Sequence, residues 1–153
     1  MANFDTLYKQ TITLFNRLTV DDVVVWYPFV ISNVHLVVDK SIVIASYGEQ
    51  SQDNARLNIR YTVSGKDAVI NGKTYMMPKE WARNANPLRN FTFGFGDAFD
   101  FFVEGDYGST EVISDDAYRN GFYNYMNRTR DNVFAISTVS KFNLIPHFEI
   151  GAR

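Results

Sequence analysis

The sequence predicts a mainly β, single-domain chain over residues 1–153: a small antiparallel β-barrel or sandwich with one helix at about 115–127 and a short helical turn near 78–84. Three observations predict this class. Apolar residues recur at a period of two along much of the chain, as half-buried strands require. The β-branched and aromatic runs are short and separated by Asp, Pro, Ser and Lys, which is the spacing of successive antiparallel strands, and no βαβ rhythm appears. A length of 153 residues with 46% hydrophobic and 16% aromatic content suffices to bury one core without disulfides or metal.

Taken in order, Thr11–Phe15, Val23–Trp26, Asn33–Val38 and Ile42–Tyr47 read as four strands. Gly48, Glu49, Gln50, Ser51, Gln52, Asp53 and Asn54 are polar and aperiodic, the best candidate for a long exposed loop. Leu57, Ile59, Tyr61 and Val63 alternate with polar residues, the clearest strand of the chain. Asn71-Gly72, between two extended runs, predicts a tight type I′ hairpin, because this pair tolerates positive φ. Pro78 opens the short helical turn, with Trp81 on its apolar side, and Asn84 and Pro87 end it.

Phe91, Phe93, Phe95, Phe99, Phe101 and Val103 share one parity, while Gly94, Gly96 and Asp97 suggest a bend between two strands. Gly96-Asp97 and Gly105-Asp106 read as turns at the two ends of one strand. Ser114 is placed to cap the helix, Asp115 and Asp116 suit its positive end, and Tyr118, Phe122, Tyr125 and Met126 form its buried stripe across Gly121. Val133–Phe142 is a returning strand with an irregularity near Ser137, and Phe148–Ile150 a last short one.

Candidate chemistry is sparse. Without cysteine there are no thiol nucleophiles, thiolate zinc sites or iron–sulfur clusters. The two histidines, His35 and His147, lack metal-ligand spacing, and His35 points away from Val34 and Leu36. The acidic stretch Asp97, Asp100, Glu104, Asp106 and Glu111 would serve glycoside hydrolysis if two carboxylates shared a cleft, or would hold calcium. The alternation of Asp100 and Glu104 with Phe99, Phe101 and Val103 instead predicts a solvated strand face. Trp26, Tyr27, Trp81, Tyr107, Tyr118, Tyr123 and Tyr125 would stack on sugars if exposed together, but layers of a β-rich core also need them. Arg119, Arg128 and Arg130 suit the negative pole of the helix. The sequons at Asn90 and Asn127 have no meaning without secretion. No Walker loop, GxSxG, HExxH or dinucleotide fingerprint occurs, so the expectation is no catalysis, no cofactor and no metal.

A formal charge of −2 argues against a surface whose main task is gripping phosphate or anionic lipid. Met1–Gln10 has no apolar run, and Val23–Ile31 is too short to span a bilayer. Synthesis in the cytoplasm, with no membrane partner, is expected.

One resemblance reaches further. Asn90-Phe91-Thr92-Phe93, the run Gly96 to Asp106, the acidic helical insert, Val133 to Val139 and the closing Pro146, His147, Phe148, Glu149, Ile150, Gly151, Ala152 and Arg153 resemble small minor-capsid and head–tail connector proteins of tailed bacteriophages. Thr11–Asn16 and the Trp26 and Val34 segments resemble their first strands. The resemblance implies a stopper-like, head-completion virion subunit made in the host cytoplasm. It would form a ring, a dodecamer by that likeness, that joins portal to tail and lines or closes the DNA channel. Its implied partners are itself, portal or adaptor and tail proteins, and transiently the packaged DNA. Carried onto this chain, Gly48–Asn54 is the candidate channel loop and Pro146–Arg153 the candidate docking tail. A tail terminator and a carbohydrate-binding β-sandwich are the alternatives. Short edge strands would offer a neighbour sites for strand addition, and a mildly acidic wall would let duplex slide.

Overall fold

A computed structural model describes residues 8–38 and 54–153. Eleven strands are present among them: β1 (Gln10–Val20), β2 (Val23–Val38), β3 (Ala55–Arg60), β4 (Thr62–Ser64), β5 (Asp67–Ile70), β6 (Lys73–Tyr75), β7 (Asn90–Phe91), β8 (Phe101–Glu104), β9 (Ile113–Ser114), β10 (Val133–Phe142) and β11 (His147–Ala152). Helix α1 covers Pro78–Asn84 and helix α2 Phe122–Thr129. The order β1-β8-β10-β11-β3-β2, with β2 returning to β1, closes a six-stranded antiparallel barrel. β9 pairs with the outer edge of β2, and β4-β5-β6-β7 form a second, smaller sheet. The predicted mainly β class is therefore the observed one, and of the barrel and the sandwich that the sequence left open the chain forms the barrel.

The barrel closes because two strands bend. β2 gains an extra residue against β1 between Ile31 and Val34, where Asn33 takes φ +60°. Beyond that bulge β2 leaves β1 and pairs with β3 from Val34 to Val38. The Gln10 side chain bridges the gap: its Nε2 donates to the Leu36 carbonyl (3.2 Å) and its Oε1 accepts from the Leu36 N–H (2.9 Å). β10 bulges at Ser137, as the sequence suggests, and passes from β8 to β11 there. Bulges sharpen twist, and here they turn the corners of the barrel.

Inside, Ile12, Leu14, Ile31, Leu57, Phe102, Phe134, Phe148 and Ile150 are essentially fully buried, so the barrel is filled and not a pore. Ala68, Ile70, Phe91 and Phe93 from the small sheet and its flanking chain join the same cluster. A second cluster, Phe15, Trp26, Phe101, Val103, Phe122, Met126 and Val133, lies on the barrel's outer face beneath α2. Phe101 stacks on Phe15 with ring centroids 4.8 Å apart. β8 is thus buried on both faces, Phe102 inward and Phe101 outward.

Several expectations are corrected. The helix over 115–127 is a single 3-10 turn at Asp115–Ala117 followed by α2, since Gly121 at φ +89° breaks it. The predicted stripe survives only in part, with Phe122 and Met126 buried. Ser114 makes no cap; Asp115 accepts the Phe122 N–H at 2.9 Å instead. Val23–Trp26 and Asn33–Val38 are one strand, because Pro28 sits where a missing N–H is tolerated and Asn33 absorbs the bend. Asp21 and Asp22, at φ +50° and +64°, form the tight turn joining β1 to β2. The run from Leu57 to Val63 divides at Tyr61, leaving Val63 exposed. Phe95 is exposed as well, outside the apolar face assigned to it. The strand expected over Ile42–Tyr47 lies outside the described residues. The Asn71-Gly72 hairpin (φ +47° and +84°) and the turn at 78–84 stand as predicted.

Candidate functional site

Two surfaces bring candidate residues together: the ends of the β3–β11 pair, and the cleft beside Asp100.

β11 pairs with β3 from His147↔Arg60 to Ala152↔Ala55. At one end stand Val38 and Asn54, the described residues flanking 39–53, and Asn54 is tied down by its N–H donating to the Ala152 carbonyl (3.0 Å). Of the candidate channel loop only Asn54 is described, and it is half-buried; Gly48–Asp53 lie outside the described residues. At the other end, roughly 17 Å away at the rise of a strand, is the β10–β11 turn. The candidate docking tail Pro146–Arg153 is not a free tail: Phe148, Ile150 and Ala152 are buried inside the barrel, paired on both sides. Only its outward side chains and its two ends reach solvent.

The turn itself carries what sequence reading missed. Leu144 is 96% exposed, Ile145 66% and Phe142 42%, three neighbouring apolar side chains in water. Their backbone is held firmly. The Tyr61 hydroxyl donates to the Phe142 carbonyl (2.7 Å) and sits 2.8 Å from Asn143 Oδ1. The Tyr61 N–H donates to the Pro146 carbonyl at 3.3 Å. His147 stacks on Phe142, centroids 4.8 Å apart and planes 8° from parallel. Its Nδ1 lies 2.6 Å from the Ile145 carbonyl oxygen and its Nε2 2.8 Å from Glu149 Oε2. Both partners are acceptors, so only the imidazolium satisfies both; the Glu149 hydrogen bond raises the His147 pKa, burial opposes it, and the Ile145 carbonyl and the Glu149 charge add to the rise. The signal available in sequence was Leu144-Ile145 inside a turn, where polar residues are usual.

The second surface is a cleft of about 300 Å³ between the end of β1, α1 and the 92–100 segment. Its inner wall is a polar knot. Asp100, expected on a solvated face, is buried: its Oδ1 accepts the Arg17 N–H (2.8 Å), and its Oδ2 accepts the Gly94 N–H (2.7 Å) and Asn16 Nδ2 (2.9 Å). Asn16 Nδ2 also donates to the Thr92 carbonyl (2.6 Å). Burial pushes the Asp100 carboxyl up to about 7, against these hydrogen bonds and the Arg17 charge, which pull it down. Trp81 seals the cleft floor and donates its Nε1–H to the Arg17 carbonyl (3.0 Å). Among the described residues the titratable lining besides Asp100 is Arg17 and Lys79, with no second carboxylate. Glu104 is exposed and accepts from Asn132 Nδ2 (2.7 Å). The knot's clear role is to join β1, the Thr92–Gly94 segment and the start of β8. Among the described residues no group of three His, Asp or Glu side chains is placed to hold a metal ion.

The candidate sugar-stacking aromatics are mostly consumed by packing. Trp26 and Trp81 are buried, and the Trp26 Nε1–H is spent on Asp115 Oδ1 at 2.9 Å. His35 points away from the barrel interior, beside Tyr8 with ring centroids 6.0 Å apart.

A family of unknown function, DUF6751, matches the chain over residues 7–153. The chain belongs to that family. The match spans the barrel, the small sheet and both helices, so this whole arrangement is the DUF6751 unit. No curated protein and no solved structure matches the chain. No helix among the described residues is long and apolar enough to cross a membrane.

Proposed function

We propose that this DUF6751 protein is a structural virion subunit of a tailed phage, a head–tail connector component that assembles into a ring between portal and tail. It acts by assembly and not by catalysis. The observation that carries the reading is the surface at the two ends of the β3–β11 pair, which the assigned docking segment Pro146–Arg153 spans. Asn54 lies at one end and an exposed, rigidly held apolar turn at the other. Exposed apolar groups clustered on a fixed backbone mark a surface that another protein covers. The filled barrel supports the corollary that any DNA channel is the hole of the ring and not the interior of a subunit.

Cryo-electron microscopy of the assembled particle tests this. A ring of this chain on the portal axis, with the 48–54 segment inward, is the expected result. Finding it on fibres, on the outer capsid or nowhere in the particle would sink the connector role, and a ring at the tail's distal junction would favour a tail terminator.

A further inference from the structure

We infer that the cleft between the end of β1, α1 and the 92–100 segment binds a small uncharged ring compound with one hydroxyl, a phenol or a cyclic alcohol. Its body would lie on Leu18, Pro78, Trp81, Ala82, Phe95 and Ala98 and its hydroxyl on Thr92. This is independent of the connector reading. The observation that points to a ligand is Thr92. Its Oγ1 is buried with no hydrogen-bond partner among the described residues, whereas buried hydroxyls are normally bonded. Phe91 and Phe93 on either side of it lie in the barrel core, which leaves the Thr92 side chain on the cleft side, where it forms part of the wall.

Three features fix the chemistry of the ligand. The other polar groups of the inner wall are already used: the Asp100 oxygens accept the Arg17 and Gly94 N–H groups and the Asn16 amide, Asn16 Oδ1 accepts the Thr92 N–H (3.2 Å), and the Arg17 carbonyl accepts the Trp81 indole. One open hydroxyl, able to donate and to accept, is answered by one hydroxyl on an otherwise apolar body. Charge comes second. A carboxylate at Thr92 would be buried in the same polar knot as the Asp100 carboxyl, and an ammonium would meet Arg17 and Lys79, so a neutral molecule is selected. Size comes third. The cleft of about 300 Å³ is at the small end of ligand pockets, which run from roughly 300 to 1,000 Å³. An apolar cavity of about 150 Å³ already takes benzene, so one ring with a short substituent fits. A sugar, with a hydroxyl on nearly every carbon, would leave most of them unbonded against Trp81 and Leu18.

Phenol, toluene and benzoate, titrated into the isotope-labelled full chain and followed by NMR, test this. The Trp81 indole N–H and the Gly94 amide report on the cleft, and the Trp26 indole, bonded to Asp115, serves as the control. Phenol should move the first two saturably and leave Trp26 in place. Toluene, which lacks the hydroxyl, and benzoate, which is charged, should bind about tenfold more weakly, the scale of one buried hydrogen bond. Thr92→Val keeps the shape of the side chain and deletes the unbonded hydroxyl. It should weaken phenol about tenfold, leave toluene unchanged and keep the urea midpoint at or above that of the parent chain. Equal affinity for phenol and toluene, no shift of the cleft signals at tens of millimolar phenol, or undiminished phenol binding by Thr92→Val overturns the inference. So does a lowered midpoint of Thr92→Val without phenol binding by the parent, which would assign the hydroxyl to a buried water. If Thr92→Val does not fold, Ala82→Trp decides: residue 82 is exposed on α1, and the indole there closes the mouth of the cleft. The phenol shifts should then vanish, and their persistence overturns the inference.

Discussion

At Asp100 burial and hydrogen bonding oppose one another, and the outcome is measurable. Three donors favour the carboxylate while the loss of water favours the acid, and burial prevails to lift the pKa to about 7. The sign of the pH dependence follows. A carboxyl that holds its proton more tightly folded than unfolded contributes stability fully present below about 3.8, lost as pH rises through about 7. The urea midpoint is therefore expected to fall between pH 5 and pH 8, with the Asp100 carboxyl carbon titrating near 7 by NMR. Asp100→Asn should flatten that slope. It should also cost about 1–3 kcal/mol in chemical denaturation, since an amide turns an NH₂ toward at least one buried donor. Gly94→Ala probes the same knot sterically: its Cβ would stand 3.0 Å from Asp100 Oδ2 and 3.1 Å from Cγ. A loss of about 1–3 kcal/mol is expected, because the carboxylate is pinned and gives little.

At the scale of elements, turn chemistry was readable and boundary chemistry was not. Asn71-Gly72 announced its hairpin because positive φ at two successive residues is a local demand. Gly121 was misread for the opposite reason: an apolar stripe continues across it, although Tyr118 is extended and Gly121 takes φ +89° between the 3-10 turn and α2. Asp115 holds that junction, taking the Phe122 N–H and the Trp26 indole N–H on one oxygen. Asp115→Ala should cost about 2 kcal/mol and selectively speed amide exchange in α2, whose N-terminus then lacks a partner. The β10–β11 turn gives a second pH effect. His147, its pKa raised by Glu149, stabilises the turn below about 6.5, the unfolded value, and that contribution is lost as pH rises through its folded pKa. Amide exchange at Leu144 and Ile145 should quicken across that transition, and His147→Ala should abolish the change.

For the whole molecule, the closed barrel explains why β11 resists being a loose tail. It completes the barrel between β10 and β3, and removing its hydrogen bonds would open two edges at once. Deletion of 147–153 should therefore abolish cooperative unfolding, whereas Leu144→Asp should leave monomer stability within about 0.5 kcal/mol and, on the proposed ring reading, abolish the assembly that light scattering would detect. These two variants separate the structural half of the C-terminal hairpin from its surface half.

Period-two patterning in segments such as Leu57–Tyr61, together with turn pairs such as Asn71-Gly72, was enough to determine a mainly β fold, because alternation and positive φ are local properties of the chain. The exposed face of the barrel and the candidate sites were less legible. Asp100 follows the alternation that predicts a solvated face, yet α1 and the 92–94 segment cover it; Leu144 and Ile145 are apolar, yet they stand in water on a turn that the Tyr61 hydroxyl holds at the Phe142 carbonyl. Which strand bends, which face gains a second layer and which apolar side chain stays in water depend on contacts between residues far apart in sequence. Only the closed tertiary structure decides those, because burial there is set by what packs from outside the strand and not by the strand's own period.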